Sequence, residues 1–460
     1  MKSTIMIAAT RSNAGKTTFT TGFLNALKNK YPDKQSVHAF KCGPDYIDPM
    51  FHKSVLSINS TNLDPFFLDE EGLRKVFYEN SGDINVIEAA MGLYDGIGVS
   101  KRASAYEVAA SLNIKIILLV DASGIGYSLI PLLKGFIGED DKKLIAGIVL
   151  NKISEKFYKK IAPAIEDELS LKVFGYVPVI KDAVLKSRHL GLISPNEADF
   201  ENKLSLITQK LSESVDIEGI IKIGEAPNDY YYKFKSVTGI NSTYKSFSHS
   251  DTGNILPLSG KKIIVSKDEA FSFIYEENIK LLKSLGANVS YFSPLHDSSV
   301  SDDADVIILY GGYPENYADE LSDNLSMKQS IRDASRRGVK IIAECGGFMY
   351  LTDSITVDEK SYEMTGLIKG YSKRQNSLVR FGYVNVKKDD GISMVRAHEF
   401  HHFDTFGVSY SDEYLIENES SKETYPGIYK SDNIFAGFPH LYYLSNPEFI
   451  ISIINGGHHE

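Results

Sequence analysis

Four short stretches of this chain carry residue types that do chemistry on phosphates, carboxylates or amides. The first is Met1 to Thr18, MKSTIMIAATRSNAGKTT, an apolar strand candidate running into Gly15-Lys16-Thr17. In a phosphate-binding loop the N–H groups of the turn point at phosphate oxygens. The Lys ammonium reaches the outer phosphates, and the Thr hydroxyl takes a place on Mg²⁺. The helix that follows, read over 19–27, turns its positive end to the same charge. The spacing therefore predicts a nucleotide held by Asn13, Gly15, Lys16, Thr17 and Thr18. Thr10 stands where the usual spacing has Gly, and Asn13 stands where another Gly would be comfortable. Asn is the next best residue for a left-handed backbone, so the turn survives.

Two acidic stretches follow strand candidates on the same rim. Lys41-Cys42-Gly43-Pro44-Asp45-Tyr46-Ile47-Asp48-Pro49 places two carboxylates three residues apart. Beside Gly and Pro such a pair can be a solvated turn. Read functionally, Asp45 or Asp48 serves Mg²⁺ or, with Tyr46, orients a substrate, while Lys41 adds positive charge near an acyl phosphate. Glu88 then ends a third strand before Met91-Gly92-Leu93-Tyr94-Asp95-Gly96. Its hard oxygens suit Mg²⁺, and Asp95 joins the substrate group. Asn151, after Gly147 to Leu150, can bond an adenine edge or close a turn.

The fourth stretch carries a thiol. In Ile341-Ile342-Ala343-Glu344-Cys345-Gly346-Gly347 an apolar strand ends at Cys, two glycines follow, and a helix-like run begins. This resembles a nucleophile elbow, in which a sharp turn exposes the thiol and the next N–H, that of Gly346, serves an oxyanion. A helix N-terminus also lowers a thiol pKa, which predicts a reactive thiolate. A second oxyanion donor is expected at Gly312, in Tyr310-Gly311-Gly312-Tyr313-Pro314-Glu315. The base is one of His398, His401, His402 and His440, and spacing does not choose among them. With only two cysteines in the chain, the histidine cluster is not read as a zinc site.

These residues need elements to hold them. The chain has 460 residues, 43% hydrophobic and 24% charged, which implies more than one folded core. A net charge of −10 argues against a surface for nucleic acid or anionic membrane. Cys42 and Cys345 sit in unrelated settings, which fits a reducing cytoplasm, and no apolar run is long enough to span a membrane. The adjacent His458 and His459 near the end read as a solvated tail.

In the first half, apolar runs at 5–9, 37–40, 85–87, 114–120, 145–150 and 173–177 alternate with helix-length segments. That pattern predicts an α/β fold with a parallel sheet, whose ligands sit at the strands' carboxyl ends. After a polar stretch, a second α/β series runs through 263–265, 289–292, 306–309 and 340–343, with a helix at 276–285. More irregular strands follow at 381–386, 394–403 and 434–444. The expected domains are 1–235 and 261–460, joined by a linker at 236–260.

Taken in order, Gly15-Lys-Thr17, Lys41-Cys-Gly-Pro-Asp-Tyr-Ile-Asp-Pro49, Met91-Gly-Leu-Tyr-Asp-Gly96, Gly311-Gly-Tyr-Pro-Glu315, Ala343-Glu-Cys-Gly-Gly347 and His398-Glu-Phe-His401 resemble the cobyrinate a,c-diamide synthase family. The resemblance implies an N-terminal ATP-binding domain similar to dethiobiotin synthetase and a C-terminal class I glutamine amidotransferase domain. It implies ATP and Mg²⁺ as cofactors, and cobyrinate and L-glutamine as substrates. ATP would activate the a and c acetates as acyl phosphates for glutamine-derived ammonia. By family position Cys345 is the nucleophile and His440 its base, with the His398 motif elsewhere in the domain. Tyr442 stands where many class I amidotransferases place a carboxylate, two residues after the histidine, so the resemblance implies a Cys-His dyad. Two rival readings share parts of this pattern. A nickel-sirohydrochlorin diamide synthase would keep nearly every motif. A phosphate-loop switch ATPase would bind partners, but such proteins carry Lys at position 11, where Arg11 stands, and have no use for a glutaminase.

Overall fold

Continuous apolar runs become buried parallel strands because both faces of the sheet are covered. The computed structural model describes residues 2–32, 37–180, 198–225, 256–390 and 394–456. The first sheet comprises β1 (Ser3–Ala9), β2 (Val37–Cys42), β3 (Ser60–Leu63), β4 (Ile84–Glu88), β5 (Lys115–Asp121), β6 (Ile145–Asn151) and β7 (Val173–Val177). Its order is β3-β2-β4-β1-β5-β6-β7, and every pairing is parallel. All residues of β1 and β4 are buried. The helix after β1, α1 (Lys16–Lys30), packs Phe19, Phe23, Leu24 and Leu27 into a core shared with Ile5, Ile7, Val86 and Ile207.

The second unit repeats the logic. Its parallel strands are β8 (Lys262–Ser266), β9 (Asn288–Phe292), β10 (Val306–Leu309) and β11 (Lys340–Glu344), and a strand at Ile434–Gly437 joins β11 in parallel. Alternate residues face two cores, as the period of two requires. Ile264, Ile307, Leu309 and Ile341 enter one core, and Ile263, Val265, Ile308 and Ile342 the other. Antiparallel strands follow, with Arg380–Lys388 beside Met394–His401, and His440–Leu441 added to the latter's far edge.

Two compact units divide the chain, Met1–Gly239 and Ile240–Glu460. The linker expected at 236–260 lies outside the described residues up to 255, as does the tail at 457–460. Among the described residues no helix is long and apolar enough to cross a membrane, and both cysteines are free and buried.

Several elements escaped the sequence reading. β3, Ser-Thr-Asn-Leu, is an edge strand too polar to register as an apolar run. The four-stranded sheet built on Thr352–Val357 is likewise half polar.

The helix Gly346–Leu351 that leaves the thiol turn is anchored by Phe348. This side chain is fully buried, with its ring edge-on to Phe438 at 5.3 Å. Phe348→Ala is expected to lower unfolding free energy by about 3–5 kcal/mol. Urea denaturation of the full chain followed by circular dichroism measures this, and a loss below about 1 kcal/mol would contradict the packing described.

Candidate active sites

The loop between β1 and α1 has the backbone that its residues require. Asn13 (φ 60°) and Gly15 (φ 94°) are both left-handed. A β-carbon on Gly15 would lie 2.4 Å from Asn151 Nδ2, so that position also demands glycine for space. Asn151 donates from Nδ2 to the Ala14 carbonyl at 2.7 Å and accepts the Lys152 N–H at 3.0 Å. Its amide therefore braces the loop.

Lys16 donates to the carbonyls of Arg11, at 3.4 Å, and Met91. Burial, assisted by the charge of Lys41, lowers its pKa to about 8. Thr17 Oγ1 donates to Glu88 Oε1 at 2.8 Å, so the loop and the end of β4 meet directly. Thr18 sits half-buried in the first turn of α1. Asp95 is exposed and accepts the Gly92 N–H at 2.9 Å, which closes the turn whose Met91 carbonyl faces Lys16.

The acidic stretch is not a solvated turn, because Asp48 and Lys41 are buried. Lys41 Nζ bonds Asp48 and lies 3.0 Å from Glu88 Oε1 and 3.7 Å from Asp45 Oδ2. Burial opposes its charge, but Asp48 and Glu88 hold its pKa well above the usual lysine value. Three carboxylates thus enclose the Lys41 ammonium at this rim. Burial raises Glu88 to about 7. Burial and the Asp48 charge raise Asp45 to about 6. Asp45 Oδ1 also accepts the Ile47 N–H at 2.9 Å, at the start of the helix Ile47–Ser54, and Tyr46 is buried beside it.

Two polar partners at this rim were missed. His52 lies one turn after Asp48 and reaches within 3.9 Å of Glu88 Oε2, a spacing that the helix period could have revealed. Asp121, at the end of β5, pairs with Arg11 and Lys152 at 2.8 Å each. Its place after an apolar run was the available signal.

Do these residues fit Mg²⁺? Glu88 Oε2 is buried without a hydrogen-bond partner, and Thr17 Oγ1 and the neighbouring carboxylates are hard oxygen donors. Among the described residues no group of three or more His, Cys, Asp or Glu is arranged to hold a metal by itself. Mg²⁺ is normally bound by one or two carboxylates together with substrate phosphates, and this donor set fits that mode.

In the second unit Cys345 is a non-glycine residue at φ 48°, ψ −107°, between β11 and the helix Gly346–Leu351. Such a conformation persists only where the surroundings over-determine it. They do so here, because the Cys345 N–H donates to the Gly437 carbonyl at 2.8 Å and a β-carbon on Gly347 would lie 2.1 Å from the Leu309 carbonyl oxygen. The glycine turn after β10 closes on the thiol. A β-carbon on Gly311 would meet His440 Cε1 at 2.3 Å and the Cys345 β-carbon at 3.3 Å, and one on Gly346 would lie 3.2 Å from Gly312 N. Thus Cys345, His440, Gly312 and Gly346 come together.

One expectation fails at the thiol. Burial pushes the Cys345 pKa up, not down; the Glu315 charge adds to this, and the Gly346 N–H only partly opposes it. Six residues of helix do not outweigh removal from water. Burial also holds His440 well below the usual histidine value, with His398 and His401 acting in the same direction. The resting pair is therefore neutral thiol and neutral imidazole. The His398 motif is not elsewhere in the domain either. His398 is the cross-strand partner of His440, and their rings stack at 4.8 Å. His401 stacks on Phe438 at 3.9 Å.

Comparison with known proteins agrees with this two-part layout. Residues 5–190 match the CobQ/CobB/MinD/ParA nucleotide binding domain, and residues 262–448 match the CobB/CobQ-like glutamine amidotransferase domain. The chain is 36% identical to the cobyrinate a,c-diamide synthase of Clostridium tetani, over 99% of this chain and 100% of that protein. It is 35% identical to that of Fusobacterium nucleatum, over 97% and 98%, and 34% identical to that of Listeria innocua, over 98% and 99%.

If Lys16 holds phosphate as its place in the loop predicts, its lowered pKa makes that binding pH-dependent. Its ammonium is the form that holds an anion, so affinity is full below about pH 8 and falls roughly tenfold per unit above it. Calorimetric titration with a non-hydrolysable ATP analogue between about pH 7 and 9 should show this fall, and Lys16→Arg should flatten it. A wild-type affinity constant across that range would contradict the assignment.

Proposed function

The chain belongs to the cobyrinate a,c-diamide synthase family, and from that premise we propose that it amidates the a and c acetate carboxylates of cobyrinate in cobalamin biosynthesis. It is a glutamine-hydrolysing ligase. The observation that carries the reading is the presence, in one chain, of a phosphate loop bonded to a buried carboxylate (Thr17 to Glu88) and of a strained thiol packed with a histidine against a glycine turn.

A carboxylate is a poor electrophile, and transfer of phosphate from ATP to the acetate makes it an acyl phosphate that ammonia can attack. Lys16 and the loop amides stabilise charge on the transferred phosphoryl group. Thr17, Glu88 and Asp45 would hold Mg²⁺, which supplies neutralisation of phosphate charge. Asp48, enclosing Lys41, keeps a buried cation fixed beside those carboxylates.

At the other site, the Cys345 thiol passes its proton to His440 as sulfur attacks the glutamine amide carbon. A neutral pair suits this, because the charge forms only when the substrate is in place. The oxyanion is met by the N–H groups of Gly312 and Gly346. His440 then gives the proton to the departing ammonia, and water hydrolyses the glutamyl thioester. Ammonia displaces phosphate from the activated acetate to give the amide.

Cys345→Ala is expected to remove glutamine-dependent amidation, by at least about a thousandfold, while amidation with free ammonium salts continues. Mass spectrometry of the product measures both, with nickel sirohydrochlorin offered in parallel as the competing acceptor. Equal loss of both nitrogen sources, or amidation of nickel sirohydrochlorin in place of cobyrinate, would overturn the proposal.

A further inference from the structure

The reaction above leaves His398 without a task, although it is buried against the candidate base. The short strand His440–Leu441 pairs antiparallel with Ala397 and His398, which sets the two histidines directly opposite. Side chains at such a pair leave the same face of the sheet. Their rings lie 4.8 Å apart and only 17° from parallel. Behind His398, the Tyr275 hydroxyl is 3.1 Å from Nδ1. The Tyr275 ring stands edge-on to both His398 and Tyr442, at 6.2 and 5.2 Å. His440 itself packs on Gly311, in the turn that carries one oxyanion donor.

We propose that His398 is the positioning residue for His440, doing by ring stacking what a carboxylate two residues after the histidine does in many class I amidotransferases. The proposal rests on the assignment of His440 as the base for Cys345. The place of that carboxylate is taken by Tyr442, and the Tyr442 ring supports Tyr275, which in turn holds His398. The control of the base has thus moved from its own loop to the neighbouring strand.

Stacking suits this environment physically. Two flat faces in contact limit rotation of His440 without placing a charge beside it. When His440 accepts the thiol proton, the π face of a neutral ring attracts the new cation, whereas a second imidazolium at that spacing would repel it. Burial keeps His398 neutral, with its pKa lowered to about 3. The other titratable groups around the pair are His401 and Glu399 on the same strand, Tyr275 and Tyr442, and Cys345 with Glu315 across the glycine turn.

The test uses the full chain and reads glutamate release from glutamine, the rate of Cys345 alkylation against pH, and amidation with free ammonium as a control for folding. His398→Ala should lower glutaminase kcat on the order of a hundredfold with KM for glutamine within about twofold, the pattern of a misplaced base. It should also displace the alkylation pH profile. His398→Phe, which keeps the stack but has no ring nitrogen, should recover to within about fivefold of wild type. Wild-type kcat and alkylation in His398→Ala would overturn the proposal. So would a His398→Phe variant as slow as His398→Ala while ammonium-dependent amidation is intact in both. Should His398→Ala lose its ammonium activity through misfolding, His398→Phe alone decides on the same criterion. Glutamate release and alkylation need no corrinoid, so an error in the acceptor would leave these readouts standing. An error in the choice of base would show separately, as a His440→Ala variant that still alkylates and hydrolyses normally.

Discussion

Both sites exist because a buried parallel strand must turn into the next segment within a few residues of its carboxyl end. The turn forces backbone into the left-handed region, at Asn13 and Gly15 after β1, Gly43 after β2, Met91 after β4 and Cys345 after β11. Such residues cost free energy unless the packing around them permits nothing else. Here the flanking strands are buried at their carboxyl ends, and the turns are held by contacts that admit no additional atom, as at Gly15 on Asn151, Gly311 on His440 and Gly347 on Leu309. The same turns aim N–H groups and reactive side chains at the rim, where ligands of open parallel sheets bind.

Electrostatically the two rims are opposites. In the first unit, a buried lysine is sustained by Asp48 and Glu88, with Asp45 nearby. Burial of a charge is tolerable only with such pairing, and removing one partner would leave the others exposed to the full penalty. That carboxylate-rich arrangement suits a divalent cation that arrives with substrate phosphates. In the second unit the Cys345 thiol, His398 and His440 are kept neutral by burial. In the proposed reaction charge would arise there only during turnover, where the Gly312 and Gly346 amides would meet it.

Much of this was legible in the residues. Continuous apolar runs gave strand positions in both units to within a few residues, since strands buried on both faces need no polar alternation. The chemistry-bearing residues after each run were legible for the same reason. Short polar edges such as Ser60–Leu63 were not, because their partners lie on another strand. Nor was the role of His398, whose neighbour His440 is far along the chain and joins it through a two-residue pairing. The direction of the thiol shift was misread because a helix end is visible in sequence, whereas the burial that outweighs it belongs to the tertiary structure. The bracing contact of Asn151 was hidden in the same way, since its bond to Ala14 spans most of the first unit.

The central claim is that nitrogen liberated at Cys345 reaches a carboxylate activated with ATP at the Lys16 loop. Glutamine labelled with heavy nitrogen at its amide, incubated with the protein, ATP, Mg²⁺ and cobyrinate in a bath of unlabelled ammonium, tests it by the mass of the product. The account predicts a diamide carrying the label at both new amides. A diamide carrying only bath nitrogen, or a glutaminase that releases labelled ammonia with no amide formed on cobyrinate, would contradict it.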